Sequence, residues 1–224
     1  QDMPAQWAMT QNNLGNALQT LGEREGGAGG LASLRDAVTA YRAALTVRTE
    51  QDMPAYWAMT QNNLGTALMT LGEREGGAGG LASLRDAVTA YRAALTVRTE
   101  QDMPADWAAT QNNLGAALGT LGEREGGAGG LASLRDAVTA YRAALTVRTE
   151  QDMPVDWAMT LGNQGAAMRV IAEMTSDLAL AKEALSQIET AFHGFRQAGH
   201  PWADYYGDEA AKARALIAKL EGKA

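Results

Sequence analysis

The residues able to do chemistry are few. The chain of 224 residues has two histidines, His193 and His200, and no cysteine. A thiolate nucleophile and thiolate metal ligands are therefore excluded. The histidines do not form the i,i+4 pair that a helical metal site needs, and each reads as structural or solvated. No Ser/His/Asp set recurs. Glu23 and Glu25 flank Arg24 and read as carboxylates of a solvated loop. The stretch GGAGG at 26–30 has the glycine content of a phosphate loop but lacks the Gly-Lys-Ser/Thr ending that supplies charge and metal contact. It reads as a connector. Trp7, Trp57, Trp107 and Trp157 read as core or inter-repeat packing. The expectation is a non-enzyme with no cofactor and no metal.

Composition narrows the class further. A net charge of −7 with 46% hydrophobic and 20% charged residues is globular rather than disordered. An acidic chain without a basic block is a poor ligand for nucleic acid or anionic membranes, which need Lys or Arg to displace counterions. No apolar run reaches the ~18 residues of a membrane span. The chain opens at Gln1 rather than Met, as a fragment or processed chain would, and no signal-peptide pattern follows; the cytoplasm is the favoured compartment.

The sequence repeats with a period of 50 residues. QDMPAQWAMTQNNLG at 1 returns at 51 and 101 with few changes, and as QDMPVDWAMTLGNQG at 151. Residues 20–50 are identical in the first three copies, which points to recent duplication, homogenisation or design. All lysines (Lys182, Lys212, Lys219, Lys223) follow the third copy. Such periodicity signals a stacked array, divided here into repeats at 1–50, 51–100, 101–150 and a divergent 151–199, followed by a capping helix at 200–224.

Each repeat predicts two helices. Helix A runs from about Pro4 to Leu21, with Asp2 or Met3 at the N-cap, Pro4 in the first turn and Gly22 as the stop. Trp7, Leu14, Leu18 and Leu21 form its apolar stripe at about 100° per residue. GEREGGAGG then reads as a long flexible loop. Helix B runs from about Ser33 to Thr49, with Ser33 and Asp36 as a capping box. Its stripe is Leu34, Val38, Tyr41 and Leu45, flanked by Ala37, Ala40 and Ala44 for close helix approach. In the last repeat the loop shortens to EMTSD, helix B runs from about Asp177 to Gln197, and Gly199-His200-Pro201 breaks the chain. A final helix, about Trp202 to Leu220, carries Tyr206, Ala210, Ala213, Ile217 and Leu220 on one side, as the end cap of an array requires. Gln164 stands where Leu14, Leu64 and Leu114 stand, with Leu161 as its one possible compensation. No cap precedes the first helix, whose core-like face is left uncovered.

NLGNAL at 13–18 followed by AVTAYRAAL at 37–45 resembles the tetratricopeptide repeat, through Leu14-Gly15 on helix A and Ala37, Tyr41 and Ala44 on helix B. The wording is similar to bacterial arrays of that type with long A–B loops, here about ten residues longer than the family's turn. The family's Pro after helix B is displaced to Pro54. The resemblance implies an all-α, right-handed solenoid of four helix pairs plus a C-terminal capping helix, with helices A lining a concave groove for a peptide or helix.

The differences between copies fit that groove. They fall at positions 6, 9, 16 and 19 of helix A, on the half facing away from a stripe centred about 80° from position 6. Exposed positions of helix B (Arg35, Thr39, Arg42, Thr46) do not vary. The groove set is Gln6, Met9, Asn16 and Gln19; Tyr56, Met59, Thr66 and Met69; Asp106; and Arg169 as its one cation. Asn13, Asn63, Asn113 and Asn163 add an amide per repeat, either to hold a peptide main chain or to bond within each repeat. Methionines there make the surface adaptable. The predicted function is a non-catalytic protein-interaction module binding a protein or peptide ligand, with no nucleic acid or membrane partner. The alternative is a self-assembling scaffold, homo-oligomeric through its uncapped N-terminal face.

Overall fold

The computed structural model describes residues 3–222. Among them lie nine helices and no strand, with 83% of residues helical. They are α1 (Met3–Arg24), α2 (Gly27–Leu45), α3 (Pro54–Arg74), α4 (Gly77–Ala94), α5 (Pro104–Glu125), α6 (Gly127–Ala144), α7 (Pro154–Thr175), α8 (Leu178–Gln197) and α9 (Trp202–Glu221). The chain divides into two compact bodies, Gln1–Ala117 and Leu118–Ala224, the division falling within α5. In the N-terminal body α1 pairs with α2 and α3 with α4, and α2 packs on α3. In the C-terminal body α6 packs on α7, α7 pairs with α8, and α9 covers α8. Consecutive helix pairs of this kind are the packing of an all-α solenoid.

The long loop does not exist. Helix A continues to Arg24, and helix B begins at Gly27, so only Glu25 and Gly26 connect them. The glycines are helical because the two helices cross too closely for side chains. A Cβ on Gly22 would lie 2.7 Å from Leu34 Cγ, and one on Gly30 would strike the Glu25 carbonyl. Tertiary packing thus overrides the poor helix propensity of glycine. Gly27 and Gly77 adopt φ of 62° and 61°, a left-handed conformation that glycine takes without steric cost. Arg74 of α3 closes the first turn by donating to the carbonyls of Glu23 at 2.8 Å and Glu25 at 3.0 Å, and to that of Gly22. Carbonyls left open at the end of α1 are thus satisfied by the next repeat.

The capping box falls with the loop. Ser33 lies inside α2 and its hydroxyl donates to Glu25 Oε2 at 3.3 Å, so Glu25 is not a free solvated carboxylate. Helix B also ends earlier than the expected Thr49. Thr46 Oγ1 donates to the Ala43 carbonyl at 2.7 Å, and the Arg48 amide to Ala44 at 3.0 Å. This turn swings Arg48 inward. Helix starts agree better: Met53 and Met153 are N-caps with Pro54 and Pro154 in the first turn, whereas Asp2 lies outside the described residues. In the last repeat Asp177 caps α8 by accepting from the Leu180 amide at 3.0 Å, and α9 forms where expected.

Most of the helix-B stripe is buried, with Leu34, Ala37, Tyr41 and Ala44 fully enclosed, while Leu45 is half-buried. Tyr41 lies against Gly15, where a Cβ would come within 2.6 Å of the ring, and Tyr91 against Gly65 at 2.7 Å. The divergent repeat solves the same problem differently. Its α8 places Ile188 against Gly165, and Gly162 admits the Tyr206 ring of α9. Gln164 is buried and its Nε2 donates to the Val138 carbonyl at 3.3 Å, a polar anchor on α6 rather than a packing shift by Leu161.

Candidate functional site

A buried polar junction between repeats went unnoticed in the sequence. Arg48 is 2% exposed, and its Nη1 donates to Thr60 Oγ1 at 2.8 Å. Thr60 in turn faces Asn12 Oδ1 at 3.2 Å and bonds the Tyr56 carbonyl at 2.8 Å. The motif recurs as Arg98–Thr110 and Arg148–Thr160, each at 2.9 Å. Position 6 of the following repeat completes it. The Tyr56 ring centre lies 5.1 Å from the Arg48 guanidinium, while Asp106 and Asp156 approach Arg98 and Arg148 at 3.8 and 3.9 Å. Burial pulls all three guanidiniums below their ordinary pKa, opposed by Tyr56, Asp106 and Asp156 respectively. Each Nε is buried with no hydrogen-bond partner. The signal available in sequence was one arginine per repeat, twelve residues before a threonine.

The groove candidates on α1 and α3 are partly committed to internal bonds. Tyr41 OH donates between Asn16 Oδ1 at 2.7 Å and Gln19 Oε1 at 3.1 Å, and Asn63 Nδ2 reaches Asn16 at 3.3 Å. Thr66 Oγ1 accepts from Tyr91 OH at 3.1 Å. Asn113 Nδ2 donates to Asn62 Oδ1 at 3.4 Å. Gln6, Met9 and Asn13 are exposed, and Met59 and Met69 are half-buried. In the C-terminal body, Asn163 Oδ1 accepts from Tyr206 OH at 2.8 Å. Arg169 pairs with the buried Glu209 at 3.1 Å and with Glu173 at 3.7 Å. Desolvation pushes the nearby Glu123 carboxyl up, opposed first by Arg169. The three tyrosines Tyr41, Tyr91 and Tyr206 are pushed far above their usual pKa by burial, so they act as neutral hydrogen-bond donors.

His200 Nδ1 accepts from the Trp202 amide at 3.3 Å, and the His193 ring lies 5.1 Å from Phe192. Among the described residues no cluster of three or more His, Asp or Glu could hold a metal, and no helix is long and apolar enough to cross a membrane.

An apolar face of α1 is uncovered. Leu14 is 46% exposed and Leu21 45%, whereas their counterparts Leu64 and Leu71 on α3 are 7% and 5% exposed. Trp7 continues the exposed face, and Thr10 and Ala17 are exposed where Thr60 and Ala67 are buried. Trp7 therefore departs from the packing expected of the tryptophans, while Trp57, Trp107 and Trp157 are half-buried. The residue types are the same on both helices. What differs is that α3 has α2 and part of α1 packed against it.

No family model matches the chain. None of the curated proteins is similar to it. Among solved structures it is similar to one described as "Computational Design of Self-Assembling Cyclic Protein Homooligomers", with 12% identity, 99% of this chain and 97% of that one covered, and a TM-score of 0.46. So remote a likeness carries nothing of that protein's assembly over to this chain.

Proposed function

We propose that the chain is a non-catalytic helical-repeat scaffold that associates with protein through the uncovered face of α1, copies of itself included. The observation that carries this is the contrast between identical residues, Leu14 against Leu64 and Leu21 against Leu71. Leu14 and Leu21 are each already about half covered, so covering the rest gains roughly 1 kcal/mol apiece, which favours a partner. The approach of Tyr41 to Gly15 supports kinship with tetratricopeptide-like arrays, whose trade is protein binding. Stacking of one chain's end on another's is less favoured, because the exposed side of α9 carries Asp204, Asp208, Lys212, Arg214 and Lys219, which association would desolvate.

Sedimentation velocity from low to tens of micromolar tests the reading. Association that grows with concentration is expected, and Leu14→Glu should leave a monomer. A parent chain that stays monomeric throughout refutes self-association. A second reading, peptide capture along helix A, is supported by the exposure of Gln6, Met9 and Asn13; an Asn13→Ala, Asn63→Ala variant that stays folded yet loses a captured ligand would favour it.

A further inference from the structure

The joint between the third and fourth repeats leaves one cation unmatched. We infer that the pocket between α6, α7 and α8 is a binding site for a small organic acid, a carboxylate on an apolar body, held by Arg135. The site is independent of the α1 face and lies wholly within the C-terminal body.

The first joint shows the partner that Arg135 lacks. Arg35 of α2 donates to Glu75 Oε1 from Nε at 3.2 Å and from Nη2 at 2.5 Å, and Ser83 Oγ donates to the other oxygen of Glu75 at 3.3 Å. In the fourth repeat Thr175 stands in the place of Glu75. The connector after it is three residues shorter, since Tyr91 follows its facing Gly65 by 26 residues and Ile188 follows Gly165 by 23. In that register Leu180 replaces Ser83 and Glu183 replaces Asp86. The trio Arg35–Glu75–Ser83 thus becomes Arg135–Thr175–Leu180, which keeps the guanidinium, drops the carboxylate and turns the third position apolar. Arg135 makes no ion pair among the described residues. The nearby carboxylates have other work. Asp177 accepts from the Leu180 amide as the cap of α8. Glu183 lines the same pocket as Arg142 and stands where Asp86 pairs with Arg42 at 3.1 Å.

This joint is also open. The pocket has a volume of about 470 Å³, within the range of small-molecule sites. Val138 is half-buried there, whereas Val38 and Val88 are each 6% exposed. Val138, Met168, Ile171 and Leu180 give it an apolar lining. A guanidinium presents a planar fork of donors that matches a carboxylate, and the apolar lining selects against small, fully hydrated anions.

The probe is hexanoate, titrated into the whole chain and followed by the chemical shifts of backbone amides and arginine Nε–H groups. Saturable shifts are expected at Arg135, Val138, Ile171 and Leu180. Neutral hexanamide should bind at least about threefold more weakly, a loss in the range of a half-exposed charge pair. Acetate, which lacks the apolar body, should bind more weakly as well. Arg135→Gln should cause the same loss for hexanoate, and Arg35→Gln should cause none. Thr175→Glu carries the sharpest expectation: it restores the internal carboxylate that Glu75 provides to Arg35, so it should pair with Arg135 and exclude the acid. Arg135 and Thr175 are both exposed, so the fold should persist in these variants. Hexanoate that gives no saturable shifts overturns the site. Hexanamide that binds as tightly as hexanoate overturns the carboxylate contact, and unchanged binding to both Arg135→Gln and Thr175→Glu overturns the role of Arg135.

Discussion

Replacing Thr60 by Val should be among the most damaging conservative changes available. The side chain is fully buried and the substitution keeps its shape. What it removes is the hydroxyl that accepts from Arg48 Nη1. Arg48 Nε already lacks a partner, so the guanidinium would keep only its contact with the Tyr56 ring. Hydrogen bonds to charged groups are worth about 1.5–3 kcal/mol, and a stranded buried partner adds to that. Breaking one side of a buried polar charge contact runs to about 3–5 kcal/mol. A loss of about 3 kcal/mol is expected, or roughly 6–12 °C at 2–4 °C per kcal/mol for a chain of this size. The repeats supply a matched control. Thr10→Val makes the same change in nearly the same local sequence, but Thr10 is exposed and meets no arginine, so its effect should stay within about 0.5 kcal/mol. Since arrays can melt piecewise, urea titration should be paired with amide exchange resolved by repeat, with lost protection centred on α2 and α3. Equal effects of the two substitutions, or an unchanged midpoint for Thr60→Val, would refute the assignment of the junction as a stabilising element.

Gly65→Ala should cost about 1–3 kcal/mol in chemical denaturation, because its Cβ would lie 2.7 Å from the Tyr91 ring; a neutral result would show that the ring can retreat. Gly77→Ala, at φ of 61°, should cost about 1 kcal/mol by the same measurement. Glu123→Gln should raise the melting temperature at pH 7, and only slightly, because the side chain keeps substantial solvent contact. The folded carboxyl is pushed up by desolvation, so its protonated form favours folding, and that contribution is present at low pH and lost as pH rises through the folded value. The gain from Gln should therefore vanish near pH 4, and a constant gain across pH would contradict the cause. Removing residues 200–224 should uncover Phe195 and Ile188, which pack against Tyr206 and its neighbours, and reduce solubility; a soluble, equally stable truncation would show α9 not to be a cap.

The helix pairs, their period, the proline-opened helices and the terminal helix could all be read from apolar spacing and capping chemistry. The connector could not. Nothing local marks Gly29 or Gly30 as helical. The reason lies in Gly22 and Gly30 meeting across two helices, which no window of sequence displays. Arg48 was equally opaque: an arginine between Val47 and Thr49 looks like surface, and only the inward turn after Ala44 buries it. Of the groove candidates, Asn16, Gln19, Thr66 and Asn163 were correctly placed on helix A. Their bonds to Tyr41, Tyr91 and Tyr206 depend on which tyrosine reaches which amide, and that is set by packing.

The junction has a bearing on how such a gene can change in length. Donor and acceptor stand twelve residues apart at Arg48–Thr60, Arg98–Thr110 and Arg148–Thr160. Excising residues 51–100 would bring Arg48 to Thr110 at that same separation, with Asp106 in the place of Tyr56. The inserted or deleted period leaves no seam, because every joint is cut to one gauge. An unequal crossover within this sequence would thus yield a shorter or longer chain whose parts still mate, and the number of repeats becomes a dimension that selection can adjust in whole steps.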